Sequence, residues 1–389
     1  MYSRLFSFLR RLFQKFLLSH LPGTSLVWGP PRRYRASAID NLQKSSADYF
    51  EVYPPNKFRR TEASTCELRV PAVFKNAFIE HTPSYGVFVL RNGRVYGSEP
   101  AVISSDDSVL LDISMQWAPF HAEVFRQWSL PKLKFFDGPV LVLAGTPGGN
   151  YSHWFQQMLP RLHLAKSAGY QLSDFSAFVI NSGGPFIEQS LQLLEVPIDR
   201  CLFTNHDLHV QGSPLVVPSI PSPGNPSAWV PEFLRSSFWP RVESRKLESP
   251  KRIYISRSKA GSRRVSNEID LIPLLEEKGF TLLCLEDHSL QHQIEFFANA
   301  DVICGVHGSG LTNVLFCRPG CTLIEIYHPQ FPEIFWWSLA SVSQVNYYFM
   351  LGEGQPVDFV DMSQNFPLNH LDVVCDTAKL RSTFELAGV

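Results

Sequence analysis

Asp301-Val-Ile-Cys-Gly-Val-His-Gly-Ser-Gly-Leu-Thr-Asn-Val-Leu-Phe-Cys-Arg-Pro-Gly-Cys-Thr-Leu-Ile-Glu-Ile-Tyr-His328 decides how this chain folds. The apolar run 302–304 reads as a buried strand. It enters Gly305 and the turn His307, Gly308, Ser309, Gly310, and a helix-like stretch follows. After Pro319-Gly320 a second apolar strand spans 322–327. A strand, a glycine-rich turn, a helix and a strand make the local unit that holds nucleotide phosphates. Glycines let the backbone approach an anion, and a helix start offers unpaired N–H groups and about half a positive charge. His307, Ser309 and Asn313 add an imidazole, a hydroxyl and an amide around the turn. The pattern predicts a pyrophosphate pocket with polar side chains.

Upstream lies Tyr254-Ile-Ser-Arg-Ser-Lys-Ala-Gly-Ser-Arg-Arg264, at the C-terminal end of a strand over 252–256. Open α/β sheets bind ligands at that edge. Arg257 is the first charge past the strand and suits a phosphate, each charge-assisted bond contributing about 1.5–3 kcal/mol net. Lys259 and Arg263 extend the cation cluster. A solvated basic loop explains Arg263 and Arg264 equally well.

A third motif, Gly148-Gly-Asn-Tyr-Ser-His-Trp-Phe-Gln-Gln-Met-Leu-Pro-Arg-Leu162, falls at a strand-to-helix junction. His153 on a first helical turn has its neutral form favoured by the helix dipole, which suits a general base. A histidine packed beside Trp154 is the plainer alternative. Arg161, two turns on, is either a second anion contact or half of an internal ion pair. Glu325 interrupts an apolar strand, and a buried carboxylate needs bonding partners. A ribose diol or a core arginine would serve.

The frame around these motifs is α/β. A chain of 389 residues suits two domains or three, and 44 % hydrophobic residues supply a core. A formal net charge of −1 argues against a dedicated nucleic-acid binder. Seven scattered cysteines favour a reducing compartment and free thiols over a zinc site. No Asp-x-Asp motif for a metal and no Gly-x-Ser-x-Gly elbow is present. No stretch has the length and uniform apolarity to span a bilayer. Residues 1–21 read as a basic amphipathic helix, fit for an anionic membrane surface or for docking on the protein itself. Residues 45–135 look β-rich, with an Asn92-Gly93 hairpin signal. Strands and helices alternate from 139 onward, and 211–231 reads as a loop. We expect an N-terminal helix and linker over 1–30, one domain over 31–248 and a nucleotide-binding domain over 249–389.

The pieces Asn150-Tyr-Ser-His-Trp, Leu159-Pro-Arg-Leu162, Tyr254-Ile-Ser-Arg-Ser-Lys259, Arg263-Arg264 with Asn267-Glu268, and Gly305-Val-His-Gly-Ser-Gly-Leu-Thr-Asn313 with Arg318-Pro-Gly320 resemble glycosyltransferase family 61 in order and spacing. The resemblance covers roughly residues 140–350. It implies a GT-B-like fold, two Rossmann-like halves facing a cleft, here with a β-rich N-terminal segment. It implies inverting, metal-independent transfer of a sugar from a nucleotide sugar, usually a UDP-sugar, to a hydroxyl on a glycan or protein. Bacterial relatives serve capsular or surface polysaccharide assembly, and a cytoplasmic enzyme touching the inner membrane face is the expectation. No cofactor beyond the co-substrate is implied, and no metal. In this scheme His153 is the base. Arg257, Lys259, Arg263, His307 and the amides of Gly308, Ser309 and Gly310 hold the diphosphate. Thr312 and Asn313 contact phosphate or sugar, and Glu325 holds the ribose. A non-catalytic nucleotide- or glycan-binding subunit of a membrane-associated assembly complex is the second reading. A Rossmann dehydrogenase lacks its Gly-x-Gly-x-x-Gly.

Overall fold

A computed structural model describes residues 29–31, 33–115, 122–222, 227–242, 249–355 and 370–389. The helix expected over 1–21 lies outside them. The described residues form a mixed α/β protein in two compact units. One contains the described residues up to Pro54 with those of Ser84–Ile187 and Val196–Ile220. The other contains Pro55–Pro83, Glu188–Glu195 and the described residues from Pro221 to Val389. The second unit therefore takes in stretches on the N-terminal side of residue 249.

The second unit is built on a fully parallel six-stranded sheet. Its order is Thr281–Leu283, Arg252–Ile255, Val302–Val306, Thr322–Tyr327, Asn346–Leu351 and Ala63–Thr65. Parallel strands covered on both faces read as continuous apolar runs. That is why 302–304 and 322–327 were legible, and Val302–Val306 and Thr322–Tyr327 are buried throughout. One face carries the helices Glu268–Glu277 and Thr377–Leu386, whose Leu271, Leu274, Leu380 and Phe384 pack on Ile324, Ile326 and Met350. Leu290–Asn299 starts at Ser289, whose hydroxyl accepts from the His292 N–H at 3.3 Å. Counted along the chain from Arg252–Ile255, the first five strands stand in the order 2-1-3-4-5. The direction of winding reverses between the first and third, and such a reversal is where open α/β sheets take their ligands.

The helix-like stretch after the glycine turn is an eight-residue 3₁₀ helix, Ser309–Phe316. A run of this length is uncommon for 3₁₀ geometry. Its C-terminal carbonyls are held from outside: Arg235 Nε donates to Leu315 O at 3.1 Å and Trp239 Nε1 to Phe316 O at 2.9 Å. Both donors lie on the helix Trp229–Val242. Residues from the N-terminal side complete this unit. Phe74 stacks on Phe349 with centroids 4.2 Å apart.

The first unit has two six-stranded sheets. One runs Cys201–Phe203, Ala177–Ile180, Val140–Leu143, Leu215–Pro218, Tyr85–Leu90 and Ala47–Tyr53, the first four mutually parallel. The last two strands are joined on antiparallel. The other runs Arg33–Arg35, Ser108–Leu110, Ala101–Ile103, Arg94–Tyr96, His209–Gln211 and Lys134–Phe135. Residues from both sheets, among them Phe88, Val95, Val102, Val142, Val210 and Val217, share one core. The expected hairpin at Asn92-Gly93 is corrected here. The chain does turn, with Asn92 at φ 57°, but Tyr85–Leu90 and Arg94–Tyr96 enter different sheets. The loop expected over 211–231 contains the buried strand Leu215–Pro218, whose Pro/Ser-rich flanks hid it.

Candidate functional site

The strands Arg252–Ile255 and Val302–Val306 are adjacent and in register, with Ile255 opposite Gly305. Their C-terminal ends deliver Arg257 and the 307–310 turn to one spot. A Cβ placed on Gly308 would lie 2.3 Å from Arg257 Nη1, so the guanidinium rests on the bare α-carbon. Gly308 has φ 172°, an extended backbone open to any residue. Close approach, and not conformation, is what calls for glycine. Arg257 is fastened by its Nε–H to Arg263 O at 3.0 Å and by Nη2 to Ser262 O at 2.9 Å. Arg257 and Arg263 have no carboxylate ion pair among the described residues. Burial lowers the pKa of both, and Arg263 lowers that of Arg257 further. Leu311 N–H is the first of the 3₁₀ helix to bond back, to Gly308 O at 2.9 Å. The amides of Gly308, Ser309 and Gly310 have no intrahelical acceptor. Two guanidinia without a carboxylate ion pair and the amides at the helix start make this turn the candidate anion site.

His307 lies behind this turn in a buried network. Its Nδ1 shares a hydrogen bond of 2.7 Å with Glu325 Oε1. Glu325 Oε2 accepts from Tyr347 OH at 2.6 Å and Tyr327 OH at 2.9 Å. Glu333 Oε1 is 3.5 Å from the same Nδ1. Burial, then Arg263 and Arg257, push the His307 pKa well below its ordinary value. Burial raises Glu325 to about 8 and holds Glu333 well above the usual carboxylate range. The depressed pKa favours the neutral imidazole, with Nδ1 engaged by Glu325. The ribose contact expected of Glu325 needs correction: the side chain is fully buried, with both oxygens occupied. Glu325 positions His307.

The remaining expected contacts divide. Ser309 and Gly310 are half-exposed at the turn. Thr312 and Asn313 are fully buried. Asn313 Nδ2 donates to Gln293 Oε1 at 3.3 Å and Gly310 O at 3.2 Å, so it braces the turn from within. Lys259 sits on the surface, its Nζ 2.6 Å from Asp287 Oδ1. Arg264 is likewise paired with Asp372. Arg161 is neither an anion contact nor half of an ion pair. It is fully buried in the first unit, donating to Pro218 O at 2.9 Å and Ala144 O at 2.8 Å. Those carbonyls end two adjacent parallel strands, and the guanidinium ties them together. Burial alone lowers its pKa to about 9.

His153, also in the first unit, ends the short helix Tyr151–His153, which Asn150 caps by accepting from the Ser152 N–H. Trp154–Met158 follows as a π-helix, with Leu159 N–H bonded to Trp154 O at 2.9 Å. Pro160 has no N–H and crowds the carbonyl four residues back, and the widened turn accommodates it. Such turns are frequent at functional sites. Gln157 Oε1 accepts from His153 Nδ1–H, which leaves the Nε2 lone pair as the basic site. Burial lowers the His153 pKa, and the Gln157 bond raises it in part.

Sequence reasoning missed Gln157, Tyr327, Glu333, Trp336 and Tyr347. Alternation along Thr322–Tyr327 places Glu325 and Tyr327 on one face, a signal that was available. Glu333 sits in an irregular segment without spacing rules.

Guanidinia and a glycine turn at the switch point of a parallel α/β unit suit a phosphorylated ligand. Residues 151–324 match the family model Glycosyltransferase 61, so the chain carries a domain of that family and is a glycosyltransferase. The matched segment holds His153, Arg257, Arg263 and the 307–313 turn. Glu325 and Glu333 lie beyond its end. No curated protein matches the chain. Among the described residues no helix is long and apolar enough to cross a membrane.

Proposed function

We propose that the chain is an inverting glycosyltransferase of GT-B type that moves a sugar from a nucleotide sugar, a UDP-sugar first among candidates, to a hydroxyl of a glycan or protein. A surface-polysaccharide precursor is the acceptor class the family resemblance favours. The carrying observation is the pair Arg257 and Arg263, cations without a carboxylate ion pair among the described residues, at the switch point beside the start of the helix Ser309–Phe316. In the reaction an acceptor oxygen bonds to the anomeric carbon while the bond from that carbon to the diphosphate breaks. The electron pair leaves with the diphosphate, where Arg257, Arg263 and the 308–310 amides stabilise the charge. The acceptor proton passes to His153 Nε2. No step in this scheme requires a metal.

The test is thermal unfolding of purified protein with UDP-, GDP- and CMP-sugars, followed by assay of nucleotide release with and without EDTA. We expect one donor class to raise Tm by mass action and to be slowly hydrolysed, with EDTA making no difference. Absence of stabilisation by every donor overturns the donor site. Stabilisation without hydrolysis or transfer points to a binding subunit, and loss of activity in EDTA restored by Mn²⁺ overturns the metal-free scheme.

A further inference from the structure

Three polar atoms near His307 are enclosed and have no hydrogen-bond partner among the described residues: Glu333 Oε1, Arg263 Nε and Trp336 Nε1. Native proteins leave few such groups, and each needs an explanation. These three belong to one place. Glu333 Oε1 is 3.5 Å from His307 Nδ1, and the Trp336 ring centroid is 5.9 Å from that of the imidazole. Arg263 is within Coulombic reach of Glu333, Glu325 and His307. The protein does not satisfy the carboxyl oxygen itself. His307 Nδ1 is already engaged at 2.7 Å by Glu325. The Phe335 backbone N–H fixes the Glu333 carboxyl without reaching Oε1.

The orphans are one carboxyl oxygen, which donates when it holds the proton and accepts when it does not, and two N–H donors, one step from the guanidinium of Arg257. A sugar diol has the complementary set. One hydroxyl pairs with the carboxyl oxygen, as donor or acceptor, while hydroxyl lone pairs accept from the indole and guanidinium N–H groups. Phe331 and Tyr327 pack beside the imidazole, with centroids 6.0 Å and 5.5 Å from that of His307. We propose that Glu333, Trp336 and Arg263 form the subsite that holds a vicinal diol of the donor, next to its diphosphate. This rests on the nucleotide-sugar reading above and names the residues that would select within it.

The diol belongs either to the ribose or to the transferred sugar, and titration calorimetry separates them. Wild type, Glu333→Gln and Trp336→Phe are titrated with UDP and GDP, their 2′-deoxy forms, UDP-glucose and GDP-mannose. A ribose diol predicts that each variant loses about tenfold for the ribonucleotide the wild type binds, and little for its 2′-deoxy form. A diol on the transferred sugar predicts unchanged nucleotide affinity and a similar loss for the nucleotide sugar. Two folded variants with wild-type affinity for every probe overturn the subsite and leave the donor reading standing. A wild type that binds none of the probes overturns both.

Discussion

Arg257 lies on the α-carbon of Gly308, 2.3 Å from where a methyl group would be. Carbonyls of Ser262 and Arg263 hold the guanidinium from its other edge. The glycine thus makes room for a side chain of its own unit. Gly308→Ala is compatible with the extended backbone, so Tm should change little. The guanidinium must move, and donor affinity should fall about tenfold, or about 1.4 kcal/mol. Arg257→Ala should cost about 10- to 100-fold, and Arg257→Lys should restore little of it, because an ammonium lacks the planar fork. Titration of the three variants with the bound nucleoside diphosphate decides the matter. Wild-type affinity in Gly308→Ala and Arg257→Ala would remove the phosphate role.

His153→Ala should leave donor affinity intact and lower kcat by about 10²–10⁴-fold, the usual worth of a positioned base. The pH profile carries the sign. Burial lowers the pKa of His153, so the acid limb of kcat lies below the ordinary imidazole value of 6.5. Gln157→Leu removes the bond that raises the pKa and should shift the limb further to acid. A limb centred above pH 6.5, or one unmoved in Gln157→Leu, would rule against this assignment.

The parallel sheet of the second unit was legible because its strands are buried on both faces and leave uninterrupted apolar runs. The meeting of Arg257 with the 307–310 turn was also readable, since both follow strand ends that pair as neighbours. Other features depended on contacts distant in sequence. Ala63–Thr65 completes the sheet beside Asn346–Leu351 from far up the chain, and no local pattern announces that. Asn92-Gly93 correctly marks a turn, but a turn does not specify which strand its flanks will pair with. Glu325 was flagged by polarity in an apolar run, yet polarity alone does not separate a ligand contact from a residue that orients a neighbour. Arg161 failed for the same reason. Its partners are backbone carbonyls, which carry no residue-type signal.

Glu325 offers a test of the buried network that needs no substrate. Its folded pKa is about 8 against an ordinary 4.5. Between those values the folded chain keeps a proton that the unfolded chain releases. The stability this supplies is complete below pH 4.5 and is lost as pH rises through about 8, at up to about 1.4 kcal/mol per pH unit. Glu325→Gln has no such proton to lose. The Tm of the variant relative to wild type should therefore climb steadily from pH 6.5 to pH 8 and level off above. The unfolded-state titration of His307, whose depressed pKa keeps the folded imidazole neutral, is common to both proteins and cancels in the difference. Parallel melting curves at half-unit intervals give the result. A constant difference across that range would mean that Glu325 ionises as an ordinary carboxylate, and the reading of the site as a pair of arginines facing neutral, proton-holding carboxyls would fall with it.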